Sequence, residues 1–234
     1  ASPARVASND MLAGHNTAMS NAPSSLPEPH NKQQRRIIIL ISGGGSNMAA
    51  IVKAAKRDNW QQRLQAQVTA VVANRADASG LTFAKEHGIH TAVLAHTAFA
   101  SREAFDQALI DTLEALDPPT PGYAPALVVL AGFMRILTPE FVDHFQGRLL
   151  NIHPSLLPAF AGLHTHQRAI DMGCKFAGAT VHHVTAELDH GEFLAQAAVP
   201  VLPADTAQTL AARVLTQEHS IYPQAIAQWL QANA

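Results

Sequence analysis

The sequence predicts an α/β fold: a Rossmann-like parallel sheet wound with helices in the N-terminal half, with antiparallel strands added in the C-terminal half. Three observations predict it. Ile37 to Ile41, Val68 to Ala73 and Leu127 to Ala131 are apolar on both faces, as strands covered by helices on both sides must be. Helical patterns alternate with these runs, which is the order of a parallel sheet. After Pro158 the period changes: Ala179 to Val184 and Phe193 to Val201 alternate every second residue, as half-exposed antiparallel strands do.

The elements follow in order. Residues 1–35 are rich in Ala, Ser, Asn, Pro and Gln, without a sustained apolar period, and are expected to be a disordered polar extension. They lack the continuous apolar centre of a signal peptide. Residues 36–234 are expected to be a single domain. Strand one, Ile37 to Ile41, runs into Ser42-Gly43-Gly44-Gly45-Ser46-Asn47 and then a helical stretch from Met48. Val68 to Ala73 is the second strand, Ser79 to His87 a helix stopped by Gly88, and Thr91 to Leu94 a short third strand. Ser101 caps a helix reaching about Leu116. Thr120 to Pro125 reads as a loop punctuated by Pro and Gly. The fourth strand ends in Gly132-Phe133-Met134-Arg135. Thr138-Pro139 starts a short helix, with Thr at the cap and Pro at the first helical position. Leu149 to His153 is the fifth strand and His164 to Met172 a helix. Thr206 to about Gln231 is a long amphipathic helix with a break expected near Pro223.

Composition narrows the function classes. The 234 residues carry a net charge of −2, so no basic field argues for nucleic acid. No apolar run approaches the roughly 18 residues of a membrane span. The single cysteine, Cys174, cannot form an internal disulfide, argues against a thiolate metal site and suits a reducing, cytoplasmic setting. The 13 histidines are scattered, which is the pattern of surface or hydrogen-bonded core residues rather than metal ligands.

Two stretches carry chemistry. The Gly-rich turn between the first strand and its helix suits an anion, because glycines bring backbone N–H groups close to a ligand at a helix start. Ser46 and Asn47 add side-chain donors there. The turn is neither a Walker A loop nor the dinucleotide G-x-G-x-x-G pattern, and a plain βα turn is the bland alternative. Arg148 to Pro158 is the second stretch: a buried strand that ends in Asn151 and His153 before two prolines, at the sheet edge where open α/β folds bind ligands. Asp189, in a turn with Gly191 expected to allow unusual backbone angles, is a third candidate, although a turn carboxylate is usually just solvated.

Together, Ser42 to Asn47, Leu130 to Leu137, Asn151 to Pro158, Gly162 to His166 and Gln217-Glu218-His219 resemble the phosphoribosylglycinamide formyltransferase family, the folate-dependent transformylases of purine biosynthesis. The resemblance runs from about Arg36 to the C-terminus. It implies the formyltransferase fold and transfer of a formyl group from 10-formyltetrahydrofolate, a co-substrate, to the amine of glycinamide ribonucleotide, with no metal. It assigns catalysis to Asn151, His153 and Asp189. It places the nucleotide on Gly45, Ser46, Asn47, Gly132, Phe133, Met134 and Glu218. Folate falls to Met134, Arg135, Ile136, Leu137, Asn151, Val184, Leu188 and Asp189. The chemistry suits these types: His153 and the Asn151 amide can donate to a growing oxyanion, and Asp189 can favour the imidazolium and take a proton. Phe133, Met134 and Leu137 read equally as core, and Glu218 as a solvated helix residue. Neither nucleic acid nor membrane is an expected partner, and the chain is expected to be a monomer or homodimer.

The sequence departs from the family at several positions. His190 stands for a common Gly, Ala186 for an acidic residue, His183 for an aromatic or Val, and Ala159 and Ala161 for Lys and Pro. His183 and His190 are close enough in sequence to perturb Asp189. Formyltetrahydrofolate hydrolase, or another formyltransferase using the same donor, is the alternative reading. The hydrolases normally carry an extra N-terminal domain and the methionyl-tRNA formyltransferases a C-terminal one, and neither is expected here. A binding protein without catalysis is opposed by the Asn-His-Asp set, and a dinucleotide oxidoreductase by the glycine spacing.

Overall fold

A computed structural model describes residues 33–234, so the extension expected over residues 1–35 lies, up to residue 32, outside the described residues. The first strand, β1 (Gln34–Ile41), opens ahead of Arg36. Its polar start is held at the rim of the sheet. Arg35 donates to the Pro125 carbonyl at 3.0 Å, and Arg36 pairs with Asp117 at 2.9 Å while stacking on the Tyr123 ring.

There follow α1 (Ser46–Arg57), α2 (Trp60–Arg63), β2 (Ala66–Ala73), α3 (Gly80–Glu86), β3 (His90–Val93), α4 (Arg102–Leu116), β4 (Tyr123–Leu130), α5 (Pro139–His144) and β5 (Leu149–His153). After them come α6 (Thr165–Asp171), β6 (Phe176–His183), β7 (Phe193–Pro200) and α7 (Ala207–Ala232). The seven strands form one sheet in the order β3-β2-β1-β4-β5-β6-β7. Strands β1 to β5 run parallel, and β6 and β7 are antiparallel.

The alternation along β1 shows why the strand is apolar throughout. Ile37, Ile39 and Ile41 join the layer under α1 and α7, and Ile38 and Leu40 join the layer that includes Phe105 and Leu109 of α4 and Phe141 of α5. Ser101 and Thr138 cap α4 and α5 with their hydroxyls, as expected.

Three expectations are corrected, and one short helix was not foreseen. The loop assigned to Thr120–Pro125 stops at Gly122, and β4 already includes Pro125. A bulge against β1, where Arg35 pairs with Ala124 but Ile37 with Leu127, gives the proline a place without a ladder N–H. The short helix α2, anchored by buried Trp60, gave no clear sequence signal. Strand β6 is buried along most of its length rather than half-exposed, because α7 covers it and β5 and β7 flank it; only β7 alternates. Helix α7 runs unbroken through Pro223. A proline inside a helix costs about 3 kcal/mol, and burial of Tyr222, Ile226 and Trp229 around it offsets that. The Tyr222 hydroxyl, 2.7 Å from the Leu130 carbonyl and 3.2 Å from that of Leu150, locks the helix across β4 and β5.

Candidate active site

Strand order reverses between β1 and β4, and the loops after both strands open on the same edge as the end of β5. That is the switch point where such sheets bind ligands. The Gly-rich turn after β1 is closely packed. Gly45 has φ +65°, and a Cβ there would come within 2.9 Å of Met48 Cε. The Gly43 carbonyl accepts from Gly80 N–H at 3.1 Å, and a Cβ on Gly80 would meet Ile41 Cδ1 at 2.8 Å, so two glycines let α3 press against the turn. The first N–H groups of α1 have no acceptor within the helix and remain for a ligand.

Asn47 is tied into the protein as well: its amide nitrogen donates to Glu218 Oε2 at 2.7 Å, which uses one of its two N–H groups. Glu218 is not a solvated helix residue: it is buried, and desolvation pushes its carboxyl above the usual range, opposed by the Asn47 bond and by the charge of His153.

At the end of β5, Asn151 and His153 lie two residues apart and so share one face of the sheet. Across the ladder, Asn151 pairs with His182 and His153 with Thr180. His153 is gripped on both nitrogens. Nε2 lies 3.0 Å from the Phe160 carbonyl, and Nδ1 lies 3.5 Å from Asp189 Oδ2. A carbonyl only accepts, so Nε2 carries a proton. The Asp189 carboxyl facing Nδ1 holds the ring in orientation. Gly162 N–H also donates to Asp189 Oδ2 at 3.0 Å.

The sequence did not single out His182. Its Nε2 lies 3.8 Å from Asp189 Oδ1, while Nδ1 lies 2.9 Å from the His183 carbonyl and so holds the proton. Burial pushes its pKa down, so the ring is neutral and Nε2 offers a lone pair toward Asp189. This contact is therefore no ion pair. His182 could have been found from its period-2 match with Thr180 on β6. His183 and His190 do not take that place: His190 sits 2.6 Å from the Leu188 carbonyl, away at the surface.

Asp189 reaches the site through the hairpin between β6 and β7. Asp189 itself takes the left-handed conformation, φ +57°, which Asp tolerates better than most residues. Gly191 does not, so its expected role in unusual backbone angles is corrected. A Cβ on Gly191 would fall 1.6 Å from the His183 carbonyl oxygen, so glycine is needed for close approach of two backbones. The segment beyond His153 is fixed by Thr180, whose hydroxyl donates to the Ser155 carbonyl at 2.8 Å and accepts from Leu157 N–H at 3.0 Å.

With this geometry in view, comparison with known proteins is decisive. The formyl transferase family model matches residues 35–226. The chain belongs to the formyl transferase family. It is 51% identical over 176 residues to phosphoribosylglycinamide formyltransferase of Escherichia coli, covering 75% of this chain and 78% of that one. It is 42% identical over 161 residues to the trifunctional purine biosynthetic protein adenosine-3 of Homo sapiens, covering 69% of this chain and 15% of that protein. Among solved structures, phosphoribosylglycinamide formyltransferase from Brucella melitensis superposes with a TM-score of 0.75 at 49% identity, over 85% of this chain and 96% of that one. Glycinamide ribonucleotide transformylase 1 from Symbiobacterium toebii gives 0.77 at 42% identity, over 89% and 92%.

In this formyl transferase the remaining candidates divide by environment. Met134, Ile136 and Leu188 are exposed, with Met134 at 76%, and face no core. Phe133, Leu137 and Val184 are half-buried and pack against the layer that includes α4 and α5. Arg135 lays its guanidinium 5.8 Å from the Phe105 ring centre, with its Nε buried and without a partner among the described residues. Gly132 takes φ +73° and turns its carbonyl to Ser42 N–H at 3.2 Å. Gly162, from the Gly162 to His166 stretch, also shapes the site, as do Phe160, Thr180 and Gly80, which nothing in their local pattern marks. Among the described residues no cluster of three metal-ligating side chains is present, and no helix is long and apolar enough to cross a membrane.

Proposed function

We propose that this formyl transferase moves the formyl group of 10-formyltetrahydrofolate to the amine of glycinamide ribonucleotide. The observation that carries this reading is the His153–Asp189 pair, 3.5 Å apart at the sheet edge that also bears the Gly-rich turn. The names of the relatives support the choice of substrates. The nucleotide phosphate rests on the backbone N–H groups at Gly45, Ser46 and Asn47. Glu218 Oε1 accepts from the ribose hydroxyls, while Oε2 keeps its bond from Asn47. Gly132, Phe133 and Met134 line the nucleotide side through their loop. The pterin lies against Met134 to Leu137 and the turn bearing Val184, Leu188 and Asp189.

The amine nitrogen attacks the formyl carbon, and the carbonyl π pair moves to oxygen. The Asn151 amide and His153 Nε2–H donate to that oxyanion. The formyl oxygen takes the place of the Phe160 carbonyl on Nε2. The proton shed by the amine passes to Asp189, directly or through water. The tetrahedral centre collapses as the oxyanion pair re-forms the carbonyl and the bond from carbon to the folate nitrogen breaks, and that nitrogen takes up the proton that Asp189 received.

The test mixes the protein with 10-formyltetrahydrofolate, with and without glycinamide ribonucleotide, and follows deformylated folate. Turnover is expected only with the amine present. Turnover that ignores the amine would replace this reading with hydrolysis.

A further inference from the structure

Loop 131–138 joins β4 to α5 without a regular ladder, so its backbone N–H groups need partners from elsewhere. Two come from side chains in distant elements. Ser42, buried at the end of β1, accepts from Met134 N–H on its Oγ at 2.8 Å, while its own N–H donates to the Gly132 carbonyl at 3.2 Å. At the far end of the loop, Asp106 Oδ2 accepts from Thr138 N–H at 2.6 Å.

Asp106 is the unexpected one. It is buried on the inner face of α4 beside Phe105, Leu109 and Ile110, and desolvation pushes its carboxyl upward against the pull of the Thr138 bond. A carboxylate on an apolar helix face costs stability unless it is bonded, and packing alone favours an aliphatic residue there. Starting α5 does not require it either, because the Thr138 hydroxyl already caps that helix through Phe141 N–H at 3.3 Å. Its one bond is charge-assisted, a strong kind, and it is made to the loop. Between the two anchors the loop alternates: Met134 and Ile136 project outward, and Arg135 and Leu137 turn inward.

We propose that Ser42 and Asp106 are positioning residues that hold loop 131–138 from its two ends, Ser42 registering it against the Gly-rich turn and Asp106 against α4. This rests on the reading that the loop serves both substrates. Neither side chain meets a reacting atom. Their effect is to fix where Met134 to Leu137 stand between the nucleotide and folate sites, in the way supporting residues hold a binding constellation. Ser42 also opens the phosphate turn, so its hydroxyl ties the placement of one substrate to that of the other.

The test compares Asp106→Leu, Asp106→Asn and Ser42→Ala by steady-state kinetics and by amide hydrogen exchange of the unliganded protein. Loss of a charge-assisted anchor is expected to raise the folate KM of Asp106→Leu on the order of tenfold, with kcat changed much less. Asp106→Asn is expected to recover most of that loss, because its carboxamide oxygen still accepts from Thr138. Ser42→Ala is expected to raise KM for both substrates. Exchange is expected to quicken locally, at Met134 in Ser42→Ala and at Thr138 in Asp106→Leu. Faster exchange throughout the chain with both KM values unchanged would mean that the two residues serve only stability, and unaltered exchange at Met134 and Thr138 would also overturn the proposal. If Asp106→Leu does not fold, Ser42→Ala and Asp106→Asn carry the comparison. If the wild-type protein does not turn over these substrates, the functional reading fails, and the exchange measurement, which uses no substrate, still decides the brace.

Discussion

His153 has a neighbour on each ring nitrogen, and the two are chemically opposite: a carbonyl at Nε2 and a carboxylate at Nδ1. This pairing orients the ring and leaves its proton on Nε2, where an oxyanion donor needs it. His153→Ala or Asp189→Ala is therefore expected to lower turnover on the order of 10²-fold or more while both substrates still bind; near-normal kcat in either variant would remove these residues from the mechanism. The proposed function places Asn47 in the nucleotide half. Asn47→Ala removes the only side-chain donor to Glu218 among the described hydrogen bonds and leaves a buried carboxylate short of a partner. The KM for glycinamide ribonucleotide is expected to rise by about tenfold or more, since an unpaired buried charge costs a few kcal/mol, with the folate KM unchanged. Equal weakening of both substrates, read from the two saturation curves, would count against a nucleotide site at Asn47.

The β6–β7 hairpin shows how an element, rather than a residue, delivers chemistry. Asp189 reads from sequence as an ordinary turn carboxylate, and the hairpin turns it inward until it is buried beside His153 and His182. Gly191 makes that possible through contact rather than conformation. Gly191→Ala would drive a methyl group onto the His183 carbonyl, a backbone atom that cannot step aside. The loss in a denaturant titration is expected to exceed about 3 kcal/mol, the upper range for ordinary point changes, and activity should fall with it. Gly88→Ala is the contrast. That residue, unlike Gly191, has a positive φ, but a Cβ there meets nothing within 4 Å, so only about 1 kcal/mol of backbone strain is expected. A loss in Gly191→Ala no larger than that in Gly88→Ala would show that close approach does not govern the hairpin.

Titration acts on the whole molecule. Burial lowers the pKa of His166, His182, His183 and His219 below the ordinary imidazole value of 6.5. As pH falls below about 6.5, the unfolded chain binds protons that these folded rings refuse, so the stability they contribute is full above that pH and lost beneath it. Asp106 and Glu218 have raised values, so the folded state takes their protons first and gains stability at lower pH, as pH falls toward their unfolded values of 3.8 and 4.5. The melting temperature is therefore expected to fall between about pH 7 and pH 5.5, with a gentler slope below. Thermal unfolding at constant ionic strength across that range measures it; a flat or rising curve as pH drops from 7 would show that the buried histidines are not neutral.

Much of this architecture is legible in order along the chain, because local physics dictates it. Isoleucines and leucines on both faces of β1 require cover on both sides, Ser101 and Thr138 announce helix starts, and the glycines before α1 announce a tight turn. Asn151 and His153 stand out for the same reason: polar residues that end a buried strand lie at the sheet edge. What could not be read locally depends on residues far apart in sequence. Tertiary packing carried α7 through Pro223, and a bulge against β1 took in Pro125. Only the fold brought Asp189 and His182 to His153, set the Phe160 carbonyl on its Nε2, and joined Asn47 to Glu218. Sequence alone thus determined which segments form the sheet and which polar groups reach its edge, since period and capping act within a few residues. Which of those groups touch was decided by the tertiary structure, since a contact depends on how the hairpin, the sheet and α7 close around one point.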